Sequence, residues 1–564
     1  FFNYGGLWGD RPNDDNFCTN GIVNADRIPD PEAWEVKHQY ASIQVKGVDL
    51  AKGVVAIENR FNFSNISEYE AIWELKEDGK AIQTGTLPAS SLDITPLTTK
   101  NVTVPFTSPT LRPGAAYHLD LDFRLKANAS WGKAGHSVAH AQFALPLAVP
   151  RPPKIDLTGL PKLTTTQANG LVNLSGPGFA AVFDPKKGTL TSYTLGTLQV
   201  IKEGPVPNFW RAPTDNDRGN GMAARTGKWQ NAGRDRVVTK STVTTVSATE
   251  TRIDLSLNLP NAGSSSMTMA WTFYGTGDVL IDYTLVPDAT MAEIPNVGTF
   301  LTIPEGFETL QWLGRGPHEN YIGRNRSSHT GRYSLKVDST ITLYPELNET
   351  GQRTDVRWAA LTNAAGLGLL AVGSPLMEIN AQHHTPAQLT ATRYPWDLTR
   401  QGDITFRIDL RQMGLGGIDS WGSKPLDAHM NFAKNSYKHS FRLSPIKAAN
   451  LDLDYLARMG FKNLATSDSL AQYQTPTVGT ATSPSIHRRI KIQGIGSFEI
   501  EQADRAAAVE ILDLSGRTLS RSSIANDHAT VGRMAPGLYI LRFTGPGWSR
   551  SLVTAVTGNA AQGR

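Results

Sequence analysis

The sequence predicts a mainly β protein that is divided into several domains. Apolar and polar residues alternate with a period of two over many short segments, such as residues 117–125, 253–259 and 406–410. This alternation is typical of strands with one buried and one solvated face. Clusters of Gly, Pro, Asn and Asp separate the segments, as expected for antiparallel sandwiches. At roughly 150 residues per domain, the 564 residues correspond to about four domains.

Composition excludes several classes of protein. The 55 Lys and Arg residues nearly balance the 51 Asp and Glu residues, which gives a net charge of +4, and no basic block is present. A protein that binds nucleic acid usually concentrates basic residues on one face. We therefore expect no nucleic-acid partner. The sequence contains no apolar run of about 18 residues, the length that would predict a membrane-spanning helix. The single cysteine, Cys18, excludes an intrachain disulfide and argues against a cysteine-based zinc site.

Helices and hairpins can be placed in chain order. Asp30 is a suitable N-cap and Pro31 suits the first position of a helix that runs to about residue 40. Residues 267–273 and 279–285 flank a Gly-rich turn and predict a β-hairpin. A second helix is predicted over residues 451–459. The few helical signals support the mainly β assignment.

Shifts in composition mark the domain boundaries. Residues 146–153 contain four prolines, which predicts a stiff connector rather than a central strand. Residues 475–485 are rich in Thr, Ser, Pro and Gly, a composition typical of linkers. Beyond them, residues 509–514 and 537–543 have strand patterns. We therefore expect a separate small β-sandwich at the C-terminus.

Five clusters of glycine, aromatic and charged residues could carry chemistry: residues 4–21, 209–219, 312–321, 348–358 and 413–422. The first cluster could line a sugar site, because glycines allow close approach beside aromatic rings and carboxylates. Composition alone favours the other interpretation, a set of Asx-stabilised turns. In the last cluster, Trp421 could present its face to a pyranose or could pin the loop to the core.

The second cluster does not fit a calcium loop. Counted from Asp215, its twelfth position is Thr226 rather than the carboxylate that closes an EF-hand. A rigid polar loop with a hinge at Gly219 remains. In the third cluster, His318 and Glu319 could form an acid/base pair, but neighbours on a strand point to opposite faces.

The fourth cluster predicts a charge network. Asp355 stands between Arg353 and Arg357, and such networks are usually architectural. The adjacent pair His383 and His384 predicts no metal site, because partner ligands cannot be identified from the sequence.

Taken in order, these clusters resemble blocks of large glycoside hydrolase family 2 β-galactosidases. The resemblance runs from Phe1 to about Leu443 and rests on six blocks: residues 4–21, 25–38, 211–217, 312–321, 353–358 and 416–421. It implies that the chain begins inside a (β/α)8 barrel. With the composition shifts, the expected domains are the last strand and helix of that barrel at 1–40, an immunoglobulin-like β-sandwich at 41–150, a large antiparallel β-sandwich at 155–445, a linker at 446–486, and a small β-sandwich at 487–557.

The resemblance also implies a reaction. Family members are retaining glycosidases that use one Glu as nucleophile and another as acid/base, about 5 to 5.5 Å apart. In the family both glutamates precede the block that begins at Tyr4. The expectation is therefore a β-galactosidase segment that has no catalytic residue of its own, is inactive alone, and needs an N-terminal half as partner. Magnesium ligands, where the family has them, would also lie in that half.

The site residues implied by the resemblance bind substrate and an ion. The Phe17 carbonyl and Asn20 match positions that hold a sodium ion beside the galactose hydroxyls, and Asp14 lies in the same substrate loop. Trp421 matches an aromatic platform for the sugar, and Gly219 matches the start of a mobile loop. The sequence departs from the family pattern at two places. Leu7 replaces a residue that is often acidic in the family, and the stretch at residues 345–348 is longer than the corresponding family block.

The last strands resemble a different family. The blocks at residues 509–517 and 537–543 are similar to C-terminal sorting domains of the type IX secretion system. This implies an extracellular or cell-surface enzyme, with the cytoplasm as the second choice. The alternative function is a non-catalytic carbohydrate-binding or adhesive β-sandwich protein, which would use Trp421 and the Tyr4–Asn20 loop for contact only. An oligomer is possible in either case.

Overall fold

The computed structural model describes residues 3–152, 154–416, 419 and 422–460, together with strands in the C-terminal part. The chain divides into two compact units, Phe1–Thr475 and Pro476–Arg564. Both are built mainly of antiparallel strands, as the sequence predicts. Within the described residues, no helix is both long and apolar enough to cross a membrane.

The N-terminal segment consists of turns followed by one helix. A 3-10 turn covers Asp15–Cys18, and helix α1 covers Pro31–Gln39 with Asp30 as its N-cap. The predicted helix is therefore confirmed. The Asp30 side chain does not cap the helix; it accepts a hydrogen bond from Asn24 at 2.8 Å instead.

A small sandwich follows helix α1. One sheet contains β1 (Ile43–Asp49), β2 (Val54–Asn59) and β5 (Thr99–Thr103). The other has the order β4 (Lys80–Thr86), β3 (Tyr69–Glu77), β6 (Tyr117–Leu125) and β7 (Ser137–Ala144). Leu119, Leu121 and Phe123 of β6 are fully buried between them.

The second face of β6 differs from the sequence prediction. The alternation predicts that His118 and Asp120 face solvent, but both are buried. The neighbouring Gln142 of β7 donates to Asp120 and to the carbonyl of Thr330, a residue of the large sheet. This face is covered by another part of the chain, so its polar residues are paired rather than solvated.

The remaining strands of the first unit form one nearly closed, barrel-like antiparallel sheet. Its core contains many aromatic side chains, among them Phe183, Trp271, Phe273 and Trp312. In chain order the strands are β8 (Thr164–Ala168), β9 (Leu171–Gly176), β10 (Phe179–Asp184), β11 (Thr189–Leu195), β12 (Leu198–Ile201), β13 (Glu203–Asn208), β14 (Val237–Ser247), β15 (Glu250–Asn258), β16 (Ser266–Tyr274), β17 (Val279–Val286), β18 (Asn296–Ile303), β19 (Thr309–Gly316), β20 (His329–Lys336), β21 (Arg353–Thr362), β22 (Gly368–Gln382), β23 (Ile404–Gln412) and β24 (Tyr437–Ile446).

The predicted hairpin is formed by β16 and β17, which pair from Ser266 with Val286 to Phe273 with Val279. Short helices lie between the strands, α2 (Asp215–Gly219), α3 (Met222–Thr226) and α4 (Pro386–Ala391), and α5 (Leu453–Arg458) follows the last strand. Helix α2 replaces the loop that the sequence predicts. Thr214 and Asp217 form a reciprocal capping box there, which supplies partners for the first helical N–H groups.

The second unit is described by its strands alone. One sheet contains β25 (Ile490–Ile492), β26 (Phe498–Ile500) and β29 (Thr530–Val531). The other has the order β28 (Thr518–Ser523), β27 (Ala508–Leu512), β30 (Gly537–Gly545) and β31 (Trp548–Val556). Strands β27 and β30 lie where the sequence predicts strands. Of the linker predicted at residues 446–486, Leu453–Arg458 forms helix α5, and residues 461–486 fall outside the described residues.

Candidate functional site

A cavity of about 560 Å³ lies between the N-terminal segment and one end of the large sheet. The N-terminal segment contributes Asn20 and Glu32 to its lining. The large sheet and its connections contribute Thr214, Asp215, Asn216, Ile322, Gly323, Arg324, Tyr344, Asn348, Glu349, Gly414, Leu415, Gly416, Leu426 and His429. Both polar and apolar surface line the cavity, and several charged groups converge on it.

The loop that carries Asn20 is tied to the sheet by its neighbours. The Asn16 amide donates to the Asp215 carboxylate at 3.0 Å and to the Glu346 carboxylate at 2.9 Å. Arg393 donates to both carboxylate oxygens of Asp15, at 2.6 and 2.8 Å. These contacts reach across the chain from the 3-10 turn, so they hold the loop at the cavity wall.

Helix α1 is joined to the sheet by the ion pair of Glu32 with Arg324 at 2.9 Å, and Arg324 also pairs with a buried glutamate. Arg324 donates to the Glu319 carboxylate at 2.9 Å, and the Tyr344 hydroxyl donates to it at 2.6 Å. The N–H of Gly351 donates to the second oxygen at 2.6 Å. Burial raises the pKa of Glu319, but the Arg324 charge and these hydrogen bonds outweigh burial and hold the pKa below its usual value.

A second buried ionic network lies beneath the cavity. Arg407 donates to the Glu349 carboxylate at 2.9 Å and to the Asp409 carboxylate at 3.0 Å. Burial raises the pKa of Glu349 despite the Arg407 charge. The nearby Glu378 accepts from the backbone N–H of Gln412 at 2.9 Å, and its burial raises the pKa to about 8. The Glu378 carboxyl group is therefore mainly protonated and neutral at pH 7.

Helix α2 positions the opposite wall. Arg211 and Asp217 form an ion pair at 2.9 Å, and both side chains are fully buried. Arg211 also donates to the carbonyls of Met413 and Gly414. The connection after β23 is thus anchored to α2, which places Gly414–Gly416 at the cavity.

The structure brings some of the predicted site residues together. Asn20 lines the cavity, and Asp14 is an exposed residue directly before the 3-10 turn that contains Phe17. Gly219 is the last residue of α2, and the position of a Cβ on Gly422 would lie 2.5 Å from its carbonyl carbon. The Gly219 turn and the Gly422 loop are therefore in backbone contact. Trp421 lies outside the described residues.

His318 and Glu319, which the sequence argues against as an acid/base pair, bind different partners. Both residues follow β19 and lie in a connection, and Glu319 is enclosed by the partners described above. The His318 Nε2 lies within hydrogen-bond distance of the hydroxyls of Ser327 and Ser328. Burial lowers the pKa of His318 to about 4, which keeps the ring neutral.

The charge network predicted from Arg353 to Arg357 is also not formed as one unit. Asp355 accepts from Arg315 at 2.5 Å, whereas Arg357 donates to Asp78 of the small sandwich at 3.2 Å. Arg353 is buried and donates to the carbonyls of Pro317 and Gly351. Each of the three charged residues binds a different part of the protein, because neighbouring residues of β21 and its bulge point in different directions.

Sequence reasoning missed Glu32, Arg324 and Tyr344 as cavity residues. Glu32 has a local signal, since it complements the helix N-terminus, but its ion pair with Arg324 joins residues far apart in the chain. Arg324 and Tyr344 stand in no recognisable pattern. Only the docking of α1 against the sheet brings them to the cavity.

Comparison with known proteins places this geometry in context. Residues 1–45 match the family model described as "Glycosyl hydrolases family 2, TIM barrel domain". Residues 55–146 match "Beta-galactosidase, domain 4", and residues 175–443 match "Beta galactosidase small chain". The matched ranges follow one another along the first unit.

Curated relatives agree with these matches. A β-galactosidase of Priestia megaterium is 35% identical over 449 residues, which are 78% of this chain and 42% of the relative. Those of Halalkalibacterium halodurans and Lactobacillus delbrueckii subsp. bulgaricus are 27% and 29% identical, over 79% and 77% of this chain and 43% and 41% of each relative. The chain spans about two-fifths of the length of the curated relatives it matches.

The matches show that this chain is similar to glycoside hydrolases. More particularly, they support the C-terminal region of a glycoside hydrolase family 2 β-galactosidase over residues 1–443.

Proposed function

We propose that this chain forms the C-terminal part of a retaining β-galactosidase that hydrolyses terminal β-D-galactosides. The observation that carries the proposal is the cavity at which Asn20, from the segment similar to a family 2 barrel, meets Asp215 and Gly416 of the large sheet. A sugar bound at a barrel mouth would be enclosed there by both parts. The two catalytic glutamates would belong to barrel strands that precede Tyr4 in the complete enzyme.

In this proposal the chain binds and orients the substrate. Asn20 and Asp14 contact the galactose side of the site, and Trp421 stacks on the sugar or its aglycone. The Gly219 turn, which is packed against Gly422, adjusts as substrate enters. The catalytic carboxylates, which this chain does not supply in the proposal, act as nucleophile and acid/base.

Sodium is the proposed ion at this site. The side-chain oxygen of Asn20 and the carbonyl of Phe17 are uncharged oxygens, a donor chemistry that suits a hard monovalent cation. Asn20 is exposed toward the cavity, so its amide can reach an ion there. The ion would orient sugar hydroxyls through its remaining coordination positions. Any magnesium in the complete enzyme would be held outside this chain.

A reconstitution experiment tests the central claim. The chain is assayed alone and with a separately supplied N-terminal half from its β-galactosidase relatives, using an aryl β-galactoside. We expect no turnover by the chain alone and sodium-stimulated turnover by the mixture. Turnover by the chain alone would contradict the proposal. A complex that binds galactosides without turnover would favour the carbohydrate-binding alternative.

Variants of the N-terminal loop test the binding roles. In the reconstituted enzyme, Asn20→Ala is expected to raise KM and to weaken the sodium dependence. Cys18→Ser is the matched control, because Cys18 is exposed in the same loop and has no assigned contact with the ion or sugar. Equal effects of the two variants would indicate that the loop is merely disturbed.

We further propose that residues 487–557 direct export through a type IX secretion route. The support is the strand pattern at β27 and β30, which resembles sorting domains of that system. The test is to fuse these residues to a reporter protein in a bacterium that has the type IX machinery. Reporter at the surface or in the medium is expected, whereas retention in the cytoplasm would overturn this assignment.

A further inference from the structure

A cluster of metal-ligating side chains lies away from the cavity, among the loops that connect the strands of the large sheet. It consists of Glu308, Asp338 and His383, whose nearest ligand atoms all lie within 4.8 Å of one another. Glu308 directly precedes β19, Asp338 lies in the 3-10 turn Val337–Ser339 after β20, and His383 directly follows β22. Three separate connections of the sheet therefore converge at one point.

The orientation of His383 is set by a backbone carbonyl. Its Nδ1 lies 3.1 Å from the Gly402 carbonyl oxygen, which can only accept, so Nδ1 carries the proton and donates. In the neutral ring the lone pair is then on Nε2. A ligand histidine in metal sites is typically oriented in this way, with its other N–H donated to a carbonyl or carboxylate.

The Nε2 atom faces carboxylate oxygens. Glu308 Oε2 lies 2.9 Å from it and Asp338 Oδ1 lies 3.9 Å from it. A bare imidazole nitrogen and a carboxylate oxygen both accept hydrogen bonds, so their approach requires a cation at this point: a proton on Nε2, a guanidinium or a metal ion. The His383 side chain is 1% exposed, so that cation is held inside the cluster.

Arg400 partly fills this requirement. Its Nη2 lies 2.9 Å from His383 Nε2, and its Nε donates to Asp338 Oδ1 at 2.9 Å. Its Nη1 donates to Glu305 at 3.3 Å. Its Nη2 also lies 3.7 Å from Glu308 Oε2, so three carboxylates share one guanidinium. The Arg400 side chain is 40% exposed, so it can rotate into solvent without moving the sheet.

We propose that Glu308, Asp338 and His383 bind a divalent transition-metal ion, with Zn²⁺ as the ion of choice and Arg400 displaced into solvent. One imidazole nitrogen and two carboxylate oxygens are a ligand set that zinc accepts, with water completing a tetrahedron. The partly exposed carboxylates can close on the ion while the buried histidine stays fixed. The ion would cross-link the three connections and stabilise the large sheet. This site does not depend on the proposed function.

The proposal is tested on the full chain, with Zn²⁺ measured by calorimetry and Co²⁺ by its visible absorption. We expect one Zn²⁺ per chain, a cobalt spectrum with a nitrogen ligand, and a melting temperature that rises with zinc concentration. Loss of a ligand in Asp338→Asn or His383→Gln should weaken binding by roughly tenfold or more. Arg400→Ala should tighten binding by roughly tenfold, because it removes the competing positive charge.

Two controls separate a metal site from an ion-pair cluster. His384→Gln changes the adjacent imidazole outside the ligand set, and Glu203→Gln changes a distant carboxylate on the same sheet; both should bind zinc as the parent does. Asp338 is 58% exposed, so Asp338→Asn should fold even if the buried His383→Gln does not. The proposal is overturned if neither the parent nor Arg400→Ala binds zinc, or if Asp338→Asn binds it as tightly as the parent.

Discussion

The Arg324 guanidinium lies 2.9 Å from the Glu32 carboxylate and joins the large sheet to helix α1. The contact is an ion pair without the geometry of a directed hydrogen bond. Arg324 is largely buried and also neutralises Glu319, whereas Glu32 remains partly exposed. Loss of Arg324 should therefore destabilise the buried Glu319 carboxylate more than the partly solvated Glu32 carboxylate.

Arg324→Ala is expected to lower the free energy of unfolding by about 3–5 kcal/mol, because it leaves the buried Glu319 carboxylate without its cation. Glu32→Gln, at the other end of the same ion pair, should cost about 1 kcal/mol or less because that carboxylate is partly solvated. Urea denaturation followed by tryptophan fluorescence measures both. Similar losses in the two variants would show that Glu319 is not the charge that matters.

The buried pair of Arg211 and Asp217 should be similarly sensitive. Asp217→Asn is expected to destabilise the protein by about 3–5 kcal/mol, since Arg211 would remain buried without a counter-charge. The control is Asp215→Asn, two residues away on α2, whose exposed ion pair with Arg218 should contribute about 1 kcal/mol or less. Thermal and urea denaturation would test this, and a stable Asp217→Asn variant would argue against an ionised pair.

Glu378 should make stability fall as the pH rises. The pKa of this carboxyl is about 8 in the folded protein against 4.5 as its ordinary value, so above pH 4.5 the unfolded chain releases a proton that the folded chain keeps. Between these values the contribution of Glu378 decreases by up to about 1.4 kcal/mol per pH unit. The free energy of unfolding of Glu378→Gln, relative to that of the parent, should therefore increase from pH 5 to pH 8.

Urea midpoints at four pH values for the parent, Glu378→Gln and the exposed control Glu203→Gln would measure this difference. In the variant, the glutamine oxygen can still accept from Gln352 and from the N–H of Gln412. A stability difference between parent and Glu378→Gln that does not change with pH would refute the raised pKa.

His140 should act in the opposite direction. Burial, reinforced by the nearby His329 and His38, lowers the pKa of His140 to about 4, although the Ser327 backbone and Asp122 favour its charged form. Below pH 6.5 the unfolded chain binds a proton that the folded chain excludes, so this contribution to stability is lost between pH 6.5 and pH 4. Acid should therefore loosen the junction of α1, β7 and β20.

His140→Gln should reduce the loss of stability between pH 6.5 and pH 4. The matched control is His136→Gln, which changes an exposed histidine just before the same strand. Melting temperatures by circular dichroism at half-unit pH steps provide the measurement. A His140→Gln curve parallel to that of the parent would count against a neutral, buried imidazole.

Much of the architecture could be read from local patterns. The cap at Asp30 and Pro31 located α1, and the alternation at residues 117–125 located β6. The alternation could not show that His118 and Asp120 are buried, because their covering residues come from the large sheet. A strand pattern reports which face is apolar; it does not report what another domain places over the polar face.

The same distinction applies to the sites. Asn20 was identified from a continuous block, and the structure places it at the cavity. His383 offered no metal prediction, because Glu308 lies 75 positions earlier and Asp338 stands in a different connection. Spacing in the sequence identifies ligands only when they share one element.

The sequence by itself determined helix α1, the positions of strands such as β6, β16 and β17, the order of the blocks and the class of enzyme they resemble. Tertiary structure decided which charges pair: Arg324 with Glu32 and Glu319, Arg211 with Asp217, and Asp355 with Arg315 rather than with its neighbours. Periodicity and capping act over a few residues, so they are visible in a short segment. Ion pairing depends on which surfaces meet when the sheet closes, and that is set by packing across hundreds of residues.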